Sequence, residues 1–188
     1  MPWPESDVQP PGSEPVDAIS LVKIDFETVD GVVAKYWDVS HADDLEVRGR
    51  RDEVAAEVCR RVREHLALER AFVHAVEGSV ADEGLLREMR AGQARALELV
   101  ASIEQGGPNE LQRDAAVRVL GDFLLKHAAG EREGVFKHVA ASRLNLFDLA
   151  DQLRARRADG ALGDGDGVAG AVAPQRLPEV TGSVPTAR

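Results

Sequence analysis

A single cysteine, Cys59, stands in a chain of 188 residues, so no internal disulfide can form. Basic residues are outnumbered by acidic ones, 23 to 33, for a net charge of -10. Nucleic acid and anionic membrane would repel such a chain at long range, and neither is expected as a partner. No apolar run approaches the roughly eighteen residues that a membrane span needs. No apolar segment follows a basic start near Met1, so a secretory leader is not expected and the chain reads as cytosolic. A CxxC pair, a glycine-rich phosphate loop and a nucleophile beside a base are all missing, which argues against an enzyme. No repeat of fixed period suggests a solenoid.

What is present is helical periodicity. Apolar positions alternate steps of three and four along five segments, roughly 16–39, 50–77, 81–105, 109–139 and 145–157. The first carries Ile19, Val22, Phe26, Val29, Val33 and Tyr36; the third carries Leu86, Met89, Gln93, Ala96, Val100 and Ile103. Gly78 and Ser79 separate the second and third segments, and Gly106-Gly107-Pro108-Asn109 separates the third and fourth. Turns this short join antiparallel neighbours. The link from Asp38 to Gly49 is longer and charged, and is expected as a loop across one end. An all-α, up-down-up-down four-helix bundle over 16–157 follows, with the fifth segment outside it or across its mouth. Residues 1–15 are rich in Pro and acid, and 158–188 in Gly, Ala and Pro; both are expected to be disordered tails.

Two of the stripes are interrupted by chemistry. The second segment reads Val58, Val62, His65, Glu69, Phe72, Val76, and the fourth reads Val117, Leu120, Leu124, His127, Glu131, Val135. In each, a histidine and a glutamate four residues apart replace core positions, and residues at that spacing share a helix face. A carboxylate buried without a cation, a proton or several donors is costly. Two readings are open. The pairs converge on a metal ion, for which imidazole with carboxylate suits iron, manganese or zinc rather than calcium or magnesium. Alternatively His65 bridges to Glu131, or His127 to Glu69, as imidazolium and carboxylate with no metal.

The segments DAISLVKIDFETVDGVV, VCRRVREHLALERAFVHAV, GQARALELVASI and LLKHAAGEREGVFKHV, in this order, resemble the four helices of the hemerythrin-like, or HHE cation-binding, domain. The likeness covers about residues 16–157. It implies a non-heme iron site with His65, Glu69, His127 and Glu131 as ligands, and it matches Asp25 to the residue before the first-helix ligand. It also implies roles in oxygen, nitric oxide or iron sensing and storage. The chain departs from the family pattern at two ligands: Phe26 and Gln93 stand where histidines are usual. The second glutamate of each HxxxEE is Arg70 or Arg132. The four remaining ligands suit one weakly held ion, with Gln93 or a water completing its shell, in place of an oxygen-carrying di-iron pair. The competing class is a metal-free bundle that serves as a scaffold for a protein partner.

The other marked residues receive plainer readings. Cys59 is expected to be a small residue at a buried edge, and His41 a solvated loop histidine. His74 and His138, near helix ends, are placed to satisfy terminal carbonyls. Glu88, Arg90, Arg95 and Glu98 form a solvated face. Trp37 belongs to the core or its edge, and Trp3 in the head hints at docking of a partner.

Overall fold

The computed structural model describes residues 15–105 and 110–160. The expected tails, apart from their innermost residues, lie outside this range, as do Trp3 and residues 106–109, where a turn is expected. The described chain is all-helical. Its α-helices are α1 (Ala18–Ser40), α2 (Leu45–Gly49), α3 (Arg51–Val76), α4 (Glu83–Glu104), α5 (Glu110–Glu133), α6 (Val135–Ala140) and α7 (Leu146–Ala158), with a 3₁₀ turn at Glu77–Ser79. No helix among the described residues is long and apolar enough to cross a membrane.

Side chains set where several helices begin. Asp17 accepts from the Ser20 amide at 2.8 Å, Asp82 from Gly84 and Leu85 at 2.9 and 3.3 Å, and Asn145 from Phe147 and Asp148. Each such cap satisfies amides that have no partner inside the helix, a contribution of about 1 kcal/mol. Two segments differ from expectation. The link after Asp38 is not simply a loop: α1 runs on to Ser40, and Asp44 caps the extra turn α2 by accepting from Glu46 at 2.8 Å. The fourth segment is broken at Gly134, where a Cβ would press on the Gly130 carbonyl and on Leu85 of α4, both at 3.1 Å. The break lets α6 bury Val135, Phe136 and Val139 together.

Helix α1 packs along α3, α3 on α4, α4 on α5, and α5 returns to α1; α7 lies against α1 and α3. All six stripe positions of α3 and of α4 are buried. The interior divides into two apolar blocks. One gathers Val22, Phe72, Met89, Val135 and Leu153, and the other gathers Val29, Val62, Ala96, Leu124 and their neighbours. Burying each large aliphatic or aromatic side chain contributes roughly 1.5–3 kcal/mol, so the blocks hold the helices in register. Between the blocks, at one level on every long helix, lie Asp25 and Phe26, His65 and Glu69, Gln93, and His127 and Glu131.

Cys59 is buried, and its thiol is pushed up to about 11, first by burial and then by the charge of Glu104, so it is a packing residue. His41 is solvent-exposed just past α1, as expected, and closes that helix, its Nδ1 bonding the Trp37 carbonyl at 2.9 Å. His138 bonds the Gly134 carbonyl at 3.1 Å. His74 does not take up a carbonyl; it is exposed and 3.9 Å from Glu77. Trp37 is half-buried, edge-on to Tyr36 and covered by Arg118. Arg90 and Arg95 lie on an exposed face, paired with Glu77 and Glu98.

Candidate cation site

Heptad spacing brings the polar side chains inward, and the packing of α3, α4 and α5 then sets their partners. Glu69 is fully buried and central: its Oε1 accepts from Gln93 Nε2 at 2.6 Å and lies 3.1 Å from His127 Nε2. His127 Nε2 also stands 3.4 Å from Glu131 Oε1 on its own helix. One ligand atom from each of Glu69, His127 and Glu131 falls within 4.8 Å of the other two. Of the two cross-helix bridges expected, His127 with Glu69 forms. His65 turns instead to Asp25 of α1, Nδ1 to Oδ2 at 3.0 Å, and leaves Nε2 3.5 Å from Glu69 Oε2.

Two carboxylates this deeply buried cannot both stay charged without compensation. At an effective dielectric near 20, two like charges about 4 Å apart repel by roughly 4 kcal/mol. The outcome is asymmetric. Burial pushes Glu131 up, and the charge of Glu69 beside it adds to this, to about 10. Burial also opposes charge on Glu69, yet the His127 hydrogen bond, and the charge of both imidazoles at the acid pH where they are protonated, outweigh it and hold Glu69 below its ordinary value. The pair therefore carries one negative charge and one proton. Even so, Glu69 Oε2 and Glu131 Oε1 are buried with no hydrogen-bond partner. An ionised Glu69 makes His127 Nε2 a proton donor toward it.

These residues fit one ion. Glu69, His127 and Glu131 supply two oxygens and a nitrogen to a common point, and His65 Nε2 faces the same carboxylate. They do not fit a pair of ions. The Phe26 ring packs against the His65 ring with centroids 5.7 Å apart, and Gln93 gives its amide N–H to Glu69. Glu131 is reached from two sides, by a cleft of about 220 Å³ between α4 and α5 and by one of about 90 Å³ between α1 and α5.

Three contributors were not singled out by spacing. Gly92 gives the His127 ring its place, since a Cβ there would collide with ring atoms Cε1 and Nδ1. Phe123 stacks on the same ring at 12°. Arg157 reaches Asp25 from α7 at 2.6 Å. A glycine inside a long helix next to a core Gln was the one available signal, because it costs about 1 kcal/mol relative to Ala and needs a packing reason. Comparisons with protein-family models, with curated proteins and with solved structures returned no match.

Proposed function

We propose that residues 16–157 form a hemerythrin-like, up-down-up-down four-helix bundle that binds a single transition-metal cation. Glu69, His127, Glu131 and His65 are its ligands, and Gln93 orients Glu69 or a bound water. Iron is the first candidate, with manganese and zinc next, because the donors mix imidazole and carboxylate. One observation supports this reading: two buried glutamates from different helices each bring a carboxylate oxygen within 4.8 Å of the other and of a histidine nitrogen. A cation neutralises that charge without needing both protons. It gives the chain a binding role, for sensing or storing iron or for meeting a small gas at the metal, and not catalysis.

A second reading has its own support. Glu131 keeps its proton to about 10, so the cluster can persist as a metal-free polar core, with function in binding a protein partner. Elemental analysis and visible absorption of chain expressed in iron-supplemented medium separate the two. The cation reading expects up to one ion per chain, no strong absorption of an oxygen-bridged iron pair, and loss of the ion in both His65→Ala and Glu131→Ala. Chain that emerges without metal, and takes up no iron, manganese or zinc on titration, would overturn it.

A further inference from the structure

The histidines of the cluster are not equivalent. His127 Nε2 donates to Glu69, whereas His65 is read from its other nitrogen. Asp25 is mostly buried, and two of its hydrogen bonds define it: Oδ1 takes Arg157 Nη1 at 2.6 Å and Oδ2 faces His65 Nδ1 at 3.0 Å. A carboxylate bonded to a guanidinium can only accept, so the proton between Asp25 and His65 sits on Nδ1. That leaves His65 Nε2 directed at Glu69 Oε2, 3.5 Å away, an oxygen with no hydrogen-bond partner. The chain of contacts Arg157, Asp25, His65, Glu69 thus runs from a half-exposed residue of α7 to the centre of the interior.

We infer that Arg157 is a positioning residue for the cation site: by fixing the Asp25 carboxylate it holds His65 as the Nδ1–H tautomer, with Nε2 presented to Glu69. Without Arg157, Asp25 Oδ1 loses its cation and is opened to water on the α7 side, so the carboxylate is no longer held toward His65. His65 then gains by moving its proton to Nε2 and donating it to Glu69, which blocks the ligand atom. The consequence for cation affinity rests on the function proposed above; the tautomer does not. Partners that hold a ligating histidine from behind typically change metal affinity 10–100-fold. The helix that carries Arg157 is docked separately, by buried Leu149, Ala150 and Leu153 and by Arg154, which reaches the Val16 carbonyl at 3.1 Å.

The test uses the full ¹⁵N-labelled chain stripped of metal with chelator, at about pH 8, above the ordinary histidine range. Long-range ¹H–¹⁵N correlations report which ring nitrogen of His65 is protonated, and titration with Co²⁺ reports affinity. Wild type is expected to show a protonated Nδ1 and a bare Nε2. Arg157→Ala is expected to move His65 toward the Nε2–H form and to weaken Co²⁺ binding by about 10-fold or more; Arg157→Lys keeps most of both. Arg156→Ala, at an exposed position of the same helix, is expected to leave the His65 signals unchanged. If Arg157→Ala does not fold, Asp25→Asn, which removes one acceptor oxygen, gives the same tautomer shift. Wild-type His65 protonated on both nitrogens overturns the inference. So do Arg157→Ala signals identical to wild type, or an equal shift in Arg156→Ala. A tautomer that responds as expected in a chain that never binds Co²⁺ supports the positioning role and removes the cation reading instead.

Discussion

The His127 ring lies in the space that a side chain on Gly92 would occupy: a β-carbon there would meet ring atoms Cε1 and Nδ1 closer than any real contact. Helix α4 therefore approaches α5 at the level of the polar layer because it has no side chain at that point. Ala at Gly92 gains about 1 kcal/mol of helix propensity, but overpacking against a ring held by Phe123 and Glu69 costs roughly 1–3 kcal/mol. Gly92→Ala is expected to lower the denaturation midpoint and to shift the His127 ring resonances. Gly31→Ala, on the exposed face of α1 with nothing within 4 Å, is expected to raise the midpoint. If both variants are stabilised to the same degree, the close approach is wrong.

Glu131 sets the pH dependence of the metal-free chain. Unfolded, it releases its proton near the ordinary value of 4.5; folded, it keeps the proton to about 10. Between these values the folded state holds the extra proton, so this group's contribution is complete below 4.5 and is lost as pH rises toward 10. Glu69, held low, acts in the opposite sense and only at acid pH. In chelator-treated chain, Glu131→Gln is expected to gain stability over wild type steadily from about pH 5 to pH 9. Urea melts across that range measure it, and a constant difference would mean Glu131 ionises as an exposed glutamate does.

The same protons oppose a cation. Glu131 holds one that ligation must release, while the proton on His127 Nε2 need only move to Nδ1 when an ion takes Nε2. Binding of Zn²⁺ is expected to tighten with rising pH between about pH 6 and 8 and to release about one proton per ion. Calorimetry in buffers of different ionisation enthalpy counts the protons released. Binding that is independent of pH would place the ion elsewhere.

Replacing the two departures tests the ligand arithmetic. Phe26→His with Gln93→His adds two nitrogens at the level of the polar layer. The double variant is expected to take up more iron than wild type, toward two ions per chain, with visible absorption that wild type lacks. Stoichiometry equal to wild type, in a chain that melts cooperatively, would show that the Phe26 ring is not what limits the site to one ion.

Away from that layer, Arg51 is buried at the far end of the second apolar block. It bonds the Ser40 carbonyl at 3.1 Å and Glu110 at 2.8 Å, and lies 4.0 Å from Asp114, which takes the Tyr36 hydroxyl at 2.6 Å. Burial first, and the hydrogen bond to Asp114 next, push Tyr36 up to about 12. Tyr36→Phe is expected to cost about 1 kcal/mol and Arg51→Met rather more, since Asp114 and the end of α1 then lose a cation. Because both act through Asp114, a double-mutant cycle is expected to show coupling of at least about 0.5 kcal/mol. Strict additivity would mean the two residues act separately.

The depth of the polar residues was legible from spacing. His65 and Glu69, and His127 and Glu131, take core positions in stripes whose apolar members are all buried, and Gln93 does the same on α4. Local period alone sets this, since residues three and four apart share a face whatever the partner helix is. The break at Gly134 was not legible, because an uninterrupted stripe runs through Val135 and only the nearness of Leu85 reveals the constraint. Helix α2 was hidden by its lack of any buried residue, which leaves no apolar pattern to read.

Partners were another matter. The sequence by itself determined that this chain forms long amphipathic helices and that each brings its polar groups to a fixed face, because both follow from backbone geometry and side-chain spacing within one segment. Only the tertiary structure decided that His127 meets Glu69, that His65 meets Asp25 in preference to Glu131, and that Arg157 arrives from α7. Those contacts depend on the rotation and axial offset of one helix against another. These are set by the apolar blocks on either side and by the absence of a side chain at Gly92, and no period within a single segment encodes them.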